Sequence, residues 1–375
     1  MKQTCSILST YTADTMGVPS ALYELGGMVV MDDPSGCNST YNTHDEPRWY
    51  DMPSLVFISA LREMDALLGD DRKIIDSVTS AAKEFHPRFI AVCGAPIPMM
   101  VGTDFDALAL CIEKESGIPS FGFKTNGLHS YISGVSSALC AIAGRFCPSD
   151  GPAAFSDKKD GISVNLLGVT PLDFSITGNV AAMEQTFIRN NIAVRSIWAM
   201  QSSWESLVHS GSASVNVVVS RCGLELAGQL KKKYGTPYIT GLPVGKTGTE
   251  KIMELVRKAA ATGENQQPVH APSGGSTFVV GEMTAAQAVA DEVFQLSGKP
   301  VTVIDPIDTV DEDFLMQTLS DAEVVIGDPF YQAVVKKGCR FIDWPHEACS
   351  GRIYRDRIPL IMGDAGTAWL EKELS

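Results

Sequence analysis

The chain has 375 residues, of which 45% are hydrophobic and 20% charged, and its formal net charge is −14. This composition is typical of a globular protein with two or three domains. The negative charge argues against a nucleic-acid partner. No run of about 18 or more apolar residues occurs, so we expect no membrane span. The first residues lack the apolar stretch of a signal peptide, which predicts a cytoplasmic protein.

The first part of the chain, residues 1–150, alternates apolar runs with segments of helical periodicity. This alternation predicts a parallel sheet with helices on both faces. Strands are predicted at Gly27 to Met31, at Arg88 to Val92 and at Ser120 to Phe123. Helices are predicted over Pro19 to Leu25, Pro53 to Leu68, Arg72 to Phe85, Asp104 to Ser116 and about Gly127 to Phe146.

Two segments rich in Pro, Gly and polar residues, 146–161 and 263–276, are predicted to be linkers. They divide the rest of the chain into a second unit, residues 160–264, and a third unit, residues 275–375. Both units repeat the pattern of apolar strands and amphipathic helices. The sequence therefore predicts an α/β protein with three Rossmann-like domains, each with a mostly parallel sheet flanked by helices.

The cysteines suggest metal chemistry rather than disulfides. There are nine of them, an odd number, and no C-x-x-C pair occurs. Cys37 lies on a Pro–Gly turn just after a predicted strand, Cys93 ends another strand, and Cys5 lies near the start of the chain. The carboxyl ends of parallel strands are where such sheets bind ligands. The three thiols are either ligands of one metal cluster or unrelated buried side chains.

Two further motifs have an ordinary structural interpretation beside a functional one. Gly241 to Thr247 is one residue too short for a phosphate-binding loop. Thr247 and Glu250 instead have the spacing of a capping box, which predicts a helix from Glu250 to Ala261. His346 and Cys349 could hold a metal, but structural zinc needs four ligands, and the sequence favours a satisfied loop histidine over a metal ligand.

Several segments in a fixed order resemble the landmarks of one known family. Pro34 to Cys37 is similar to its cluster-binding turn, and Cys93 with the following Val101 to Asp104 is similar to a second landmark. The other matching segments are Ser59–Ile74, Gly235–Thr249, Asp321–Gly327, Gly338–Pro345 and Gly363–Gly366. Together they make the chain resemble the nitrogenase component 1 family. That family includes nitrogenase subunits, the scaffold for their cofactor, the dark-operative protochlorophyllide reductases and the nickel-sirohydrochlorin reductive cyclase.

The resemblance implies an iron–sulfur cluster, either [4Fe–4S] or a P-cluster-like [8Fe–7S] form, at the interface of two similar subunits. Carried over by position, the metal ligands are Cys5, Cys37 and Cys93, with Gly36 and Gly94 beside the cluster. Soft thiolates suit such clusters. The implied partners are a second copy or a paralogous subunit, in a homodimer or heterodimer, and an ATP-hydrolysing iron protein.

The function implied by the resemblance is that of an oxidoreductase subunit that passes electrons to a small-molecule or tetrapyrrole substrate. His346 and Cys349 are candidates for the wall of the substrate pocket. No cysteine–histidine pair for an iron–molybdenum cofactor can be placed, so we do not expect dinitrogen reduction. The alternatives are a cluster-assembly scaffold of the same fold and a metal-free module that binds a small ligand.

Overall fold

The structure is a computed structural model that describes Ile7, residues 13–34, Gly36, Asn38 and residues 46–148, 161–307 and 312–375. The described residues contain three four-stranded sheets in which all paired strands are parallel. Helices pack against each sheet, so the predicted α/β class with three Rossmann-like units is confirmed. Where the boundaries between the domains fall stays a prediction.

The first sheet has the order β2-β1-β3-β4. Its strands are β1 (Met28–Asp32), β2 (Leu55–Ile58), β3 (Ile90–Gly94) and β4 (Ser120–Phe123). Its helices are α1 (Asp14–Leu22), α2 (Glu63–Leu68), α3 (Arg72–Phe85), α4 (Pro96–Val101), α5 (Phe105–Ser116) and α6 (Tyr131–Phe146). Apolar side chains of α3 and α5 cover one face of the sheet, and those of α1 and α6 cover the other.

One predicted helix in this unit is wrong. The segment expected to be helical from Pro53 to Leu68 contains strand β2, and only its last part, α2, is helical. Leu55, Ile58 and Leu61 have helical spacing by coincidence. The run Leu55–Ile58 is apolar throughout and holds a β-branched and an aromatic residue, which suits an edge strand. The first helix also starts earlier than predicted, at Asp14, with Pro19 inside it.

The second sheet has the order β6-β5-β7-β8. Its strands are β5 (Ile162–Val169), β6 (Ile192–Ala199), β7 (Val215–Val218) and β8 (Tyr238–Thr240). Its helices are α7 (Pro171–Phe174), α8 (Asn179–Arg189), α9 (Trp204–Val208), α10 (Leu224–Tyr234) and α11 (Gly245–Thr262), with 3-10 turns at Ser210–Ser212 and Arg221–Gly223.

The third sheet has the order β10-β9-β11-β12. Its strands are β9 (Thr277–Val280), β10 (Val301–Ile304), β11 (Val324–Gly327) and β12 (Arg340–Asp343). Its helices are α12 (Met283–Ser297), α13 (Glu312–Thr318), α14 (Glu347–Ser350) and α15 (Asp364–Leu374), with 3-10 segments at Pro329–Val334 and Gly351–Arg357.

The start of α11 differs from the predicted capping box. The helix begins at Gly245, so Thr247 and Glu250 lie inside its first turns. Its amino end faces the buried carboxylate of Glu292 on α12, which accepts hydrogen bonds from Gly248 N at 3.4 Å and from Thr367 Oγ1. A side chain on Gly245 would collide with Glu292. The positive end of this helix therefore already has its own carboxylate, which leaves no role for a bound phosphate.

The strand order places a topological switch point at the same position in each sheet. In all three, the first and third strands of the unit lie side by side, and the second strand lies outside the first. Ligands of open α/β sheets bind at the carboxyl ends of these two central strands. Among the described helices, none has the length and apolar content needed to cross a bilayer.

Candidate functional site

The switch point of the first sheet carries a thiol. Met31 of β1 lies opposite Cys93 of β3, and Asp32 lies opposite Gly94. The Cys93 side chain is completely buried on the face covered by α1 and α6. Its Sγ lies 3.8 Å from the carbonyl oxygen of Val30. Burial raises the pKa of the Cys93 thiol, and the nearby carboxylates of residues 14 and 32 raise it further, so the thiol keeps its proton unless a metal displaces it.

The backbone around this thiol is closely held. Thr15 Oγ1 donates to the carbonyl oxygen of Gly94 at 2.6 Å, and Thr125 Oγ1 donates to the same oxygen at 2.7 Å. A side chain at Gly94 would come within 2.5 Å of the Phe105 ring. At Gly36, by contrast, an added Cβ would meet no atom within 4 Å. We call the ends of β1 and β3, with Cys93 and Gly94, the thiol edge.

Two of the three predicted metal ligands, Cys5 and Cys37, lie outside the described residues. Asn38 Nδ2 donates to Asp33 Oδ2 at 3.0 Å, which holds one neighbour of Cys37 at the end of β1. Ile7, two residues after Cys5, packs among the side chains that cover the third sheet. Within the described part of the chain, no group of three or more potential metal ligands is assembled. The convergence of the three thiols therefore stays a prediction.

The described residues fit an iron–sulfur cluster through one donor. Cys93 is a soft ligand, it is buried, and it lies at the carboxyl end of a central strand. Burial of this kind shields a cluster from water and tunes its potential. The thiol edge can therefore contribute one thiolate to such a group.

A second, highly polar site lies where the carboxyl ends of the second and third sheets face each other. Asp173, just after β5, is buried and accepts hydrogen bonds from Thr170 Oγ1 at 2.8 Å and from Ser220 Oγ at 2.6 Å. His346, which follows β12, places Nε2 3.7 Å from Asp173 Oδ1. We call Asp173, Ser220, Glu282 and His346 the polar junction.

Glu282 is the most deeply buried acid of the polar junction. Its carboxylate caps α12 by accepting hydrogen bonds from the backbone N–H groups of Thr284 and Ala285, and it also accepts from the N–H of Arg221 at 3.0 Å. Burial raises the pKa of Glu282 to about 8, and repulsion by Asp173 adds to the rise. The Arg221 guanidinium in turn pairs with Asp305 at 2.8 Å. This cap and this ion pair join the second unit to the third.

His346 is held in a defined orientation at the start of α14. Its Nδ1 accepts a hydrogen bond from Ala348 N at 3.2 Å, which assigns the proton of the neutral ring to Nε2, on the side of Asp173. Asp328 Oδ2 accepts from His346 N at 2.7 Å. Cys349 instead packs against the core of the third sheet, with Sγ 3.6 Å from the Tyr331 hydroxyl. The roles predicted for His346 and Cys349 stay predictions.

Most of the polar junction escaped the sequence analysis. Its residues each follow closely on a strand of the second or third sheet, which is the same signal that singled out Cys37 and Cys93. Applied to every predicted strand end, that rule would have found the missed junction residues Asp173, Ser220 and Glu282, and also their neighbours Arg221, Asp305 and Asp328.

An exposed apolar surface lies close to the thiol edge. Helix α2 buries none of its residues, and its Leu68 is 72% exposed. Helix α4, which follows Gly94 and contacts α2, has Met100 78% exposed. The exposed side chains of this α2–α4 patch are Met64, Leu67, Leu68, Ile97, Met99, Met100 and Val101. A contiguous apolar surface of this kind marks an interaction site.

Comparison with known proteins gives matches over much of the sequence. The family model described as nitrogenase component 1 type oxidoreductase matches residues 20–311. The nitrogenase iron-molybdenum cofactor biosynthesis protein NifE of Clostridium pasteurianum is 27% identical over 216 residues, covering 57% of this chain and 44% of that protein. The nitrogenase molybdenum-iron protein alpha chain of Methanosarcina barkeri is 23% identical over 200 residues, covering 52% and 35%.

A third relative is one of the subunits of the light-independent protochlorophyllide reductase of Prosthecochloris aestuarii, which is 24% identical over 205 residues and covers 52% of this chain and 36% of that protein. The chain thus spans less than half the length of each of these curated relatives. Among solved structures, nitrogenase Cp1 at pH 6.5 superposes with a TM-score of 0.68 at 14% identity. That match covers 100% of this chain and 93% of the other, and it shows a shared fold.

Proposed function

Because the chain belongs to the nitrogenase component 1 type oxidoreductase family, we propose that it is the electron-accepting subunit of a two-component reductase. In this proposal an ATP-dependent iron protein delivers electrons to an iron–sulfur cluster at an interface between two similar subunits. The electrons then reach a small-molecule or tetrapyrrole substrate. The observation that carries the proposal is that this chain has two separate sites, the thiol edge and the polar junction. Both sites lie at carboxyl ends of parallel strands, where α/β sheets bind ligands.

The thiol edge is the proposed site of electron entry. Cys93 would hold the cluster together with Cys5 and Cys37. When bound, such a cluster supplies reversible one-electron transfer. The protein would hold the Cys93 backbone in a fixed position, because Thr15 and Thr125 donate hydrogen bonds to the carbonyl oxygen of the next residue, Gly94. The Phe105 ring fills the space that a side chain on Gly94 would need.

The polar junction is the proposed site of proton supply. Reduction of an unsaturated substrate needs protons as well as electrons. His346 carries a proton on Nε2 on the side of Asp173, and Glu282 has a pKa raised to about 8. A carboxyl group with a raised pKa, such as that of Glu282, is suited to general acid–base catalysis. A cationic His346 would donate one proton to the substrate and return to its neutral form, and Asp173 would stabilise the positive charge before the transfer.

The α2–α4 patch supports the proposed association with a second subunit. Its leucine and methionine side chains would be covered by a partner, and α4 begins just after Gly94, at the end of the strand that carries Cys93. Obligate interfaces are apolar in their centre, as this surface is.

Anoxic purification with iron analysis and electron paramagnetic resonance tests the proposal. We expect the wild-type chain to contain iron and to show a cluster signal after reduction, and Cys93→Ala to lose most of both. Cys147→Ala is the matched control, because Cys147 is also a buried thiol but lies just beyond the other end of α6. Equal iron in the two variants, or no iron in the wild type, would contradict the proposal, and the latter result would favour the metal-free module.

A cluster-assembly scaffold is the second candidate function. It is favoured by the match to a protein named for cofactor biosynthesis, at 27% identity. The two functions differ in what the reduced protein does. A reductase subunit is reoxidised on adding its substrate and keeps its iron, whereas a scaffold passes its cluster to an acceptor protein without substrate-dependent reoxidation. Optical spectra and iron analysis after gel filtration separate these outcomes.

A further inference from the structure

A cavity of about 180 Å³ lies on the face of the first sheet opposite to Cys93. Its floor is formed by β1 and β2, and its walls by α2, α3 and the end of α4. Most of the lining is apolar, with Phe57, Ile74 and Val78 among its side chains. Cys93 points to the other face, into the core formed with α1 and α6. The cavity is therefore on the other side of the sheet from the Cys93 thiol, although Asp32 at the end of β1 lines it.

The cavity exists because the helices cover this corner of the sheet incompletely. Helix α3 packs on the sheet through Ile75 and Val78, but α2 buries none of its residues. Strand β2 is at the edge of the sheet and is only partly buried. An apolar space is left between the edge strand and the two helices.

One buried carboxylate is directed into this space. Side chains alternate along a strand, so Asp32 shares its face with Met28 and Val30, and all three line the cavity. Asp32 is 4% exposed, and its Oδ1 accepts a hydrogen bond from Ser59 Oγ at 2.6 Å. No donor among the described residues reaches its other oxygen, Oδ2. Oδ2 is therefore free to accept a hydrogen bond from a donor that enters the cavity.

The rim of the cavity is also acidic. Asp70 and Asp71 lie at the start of α3, and Asp65 pairs with Lys73, the cationic side chain of the lining. The four aspartates that line the cavity thus outnumber its single lysine. An incoming cation is attracted to this opening, whereas an anion is repelled.

We infer that this cavity is a binding site for a small organic cation, whose ammonium group hydrogen-bonds to Asp32 and whose apolar body packs against Phe57, Ile74 and Val78. A cavity of about 150 Å³ holds a molecule the size of benzene, so the ligand has a body of about that size. The inference does not depend on the proposed function, since the cavity lies on the face of the sheet opposite to the Cys93 side chain and apart from the polar junction.

Calorimetric titration of the full chain with three probes of one shape tests the inference. Benzylamine, benzyl alcohol and benzoate share the aromatic ring and differ in the charge of the polar group. We expect benzylamine to bind about tenfold more tightly than benzyl alcohol, as a hydrogen bond to a charged partner predicts, and benzoate not to bind. Equal binding of all three probes, or no binding of benzylamine, would overturn the inference.

Three variants identify the site. Asp32→Asn should reduce benzylamine affinity about tenfold and change that for benzyl alcohol little. Glu84→Gln removes one charge from the exposed face of α3 and should leave both affinities unchanged. Ala81→Phe fills the cavity and should abolish binding of every probe. Circular dichroism confirms that each variant is folded. Unchanged benzylamine binding in folded Asp32→Asn or Ala81→Phe would place the probe elsewhere and refute the site.

Discussion

The thiol edge and the polar junction are built on the same topology but carry opposite chemistry. Both lie at carboxyl ends of parallel strands, the thiol edge on the two central strands of one sheet and the polar junction between the second and third sheets, and all three sheets have the same strand order. At the thiol edge, Cys93 is enclosed by hydroxyl groups, glycine and aromatic rings. The polar junction instead brings together titratable side chains, those of Asp173, Glu282 and His346, which lie close to one another. The strand order therefore decides where a site forms, and the side chains that follow the strands decide what it can do.

The difference extends to how each region is held in place. The polar junction is tied together by caps and ion pairs that cross from the second unit to the third. The thiol edge is fixed by hydrogen bonds to a glycine carbonyl and by ring packing, and the first unit is tied to the second elsewhere, through Arg48. This buried guanidinium pairs with Glu46 and Glu24 and donates to the carbonyl oxygen of Ala199 at 3.4 Å.

The largest effect that we predict comes from removing that connection. Arg48→Ala leaves two buried carboxylates without their cation, which should lower the free energy of unfolding by roughly 3–5 kcal/mol. Urea denaturation measures the change. Arg72→Ala is the control, since Arg72 forms an exposed ion pair with Glu115 and its loss should have little effect. Similar stabilities of the two variants would show that the first unit does not depend on this contact.

A second prediction separates the two regions by function. His346→Asn keeps an oxygen that can accept the Ala348 N–H, so the start of α14 should stay folded. Under the proposed function, loss of the imidazole should lower substrate turnover by about a hundredfold, the range of general acid catalysis, while iron content stays that of the wild type. Parallel iron and turnover assays check this. A variant that loses iron together with activity would place His346 in the metal site instead.

A third prediction compares two glycines of the thiol edge region. Gly94→Ala brings a methyl group against the Phe105 ring and the Thr125 carbonyl oxygen, and overpacking of this kind costs about 1–3 kcal/mol. Gly36→Ala meets only open space. Thermal or chemical unfolding of the two variants should therefore differ, with Gly94→Ala the less stable. Equal stability of the two variants would mean that the Phe105 ring moves aside at little cost and that the packing around Cys93 is not rigid.

The last prediction is a change in the pH dependence of stability at the polar junction. The pKa of Glu282 is about 8 in the folded protein against an ordinary value of 4.5. Because the folded value is the higher one, the native state binds more protons, and stability falls as pH rises from 4.5 to 8. Glu282→Gln cannot titrate, so its stability relative to the wild type should be better at pH 8 than at pH 5. Denaturation midpoints at the two pH values measure this, and parallel profiles would contradict it.

The sequence predicted helices and strands best where the hydrophobic periodicity and the capping or turn residues indicated the same boundaries. Helix α3 occupies the predicted residues, Arg72–Phe85, because its amphipathic spacing follows two aspartates. Strand β4 also occupies the predicted residues, Ser120–Phe123. The helix expected over Pro53 to Leu68 failed because a short apolar run has no periodicity that distinguishes a strand from a buried helix. Strand β8 is only three residues long and was missed for a similar reason.

The sequence analysis singled out some residues of the two sites and missed others. Cys93 was proposed because it ends a predicted strand and matches a landmark of the family, and its role as a metal ligand stays a prediction. Asp173 and Glu282 were not proposed, since an isolated acid after a strand is common and usually solvated. What makes them unusual is burial and mutual proximity, with Asp173 acting on the pKa of Glu282. Residues 173 and 282 meet only when two separately folded sheets come together, and no local pattern records that.

The carboxylate of Glu292 at the amino end of α11 has a mechanical consequence. It belongs to the third unit, yet it closes a helix of the second and also accepts from Thr367 on α15. Pulling these two units apart would break both of these hydrogen bonds and uncover the amino end of α11 at the same time. The second and third units should therefore resist separation at this contact.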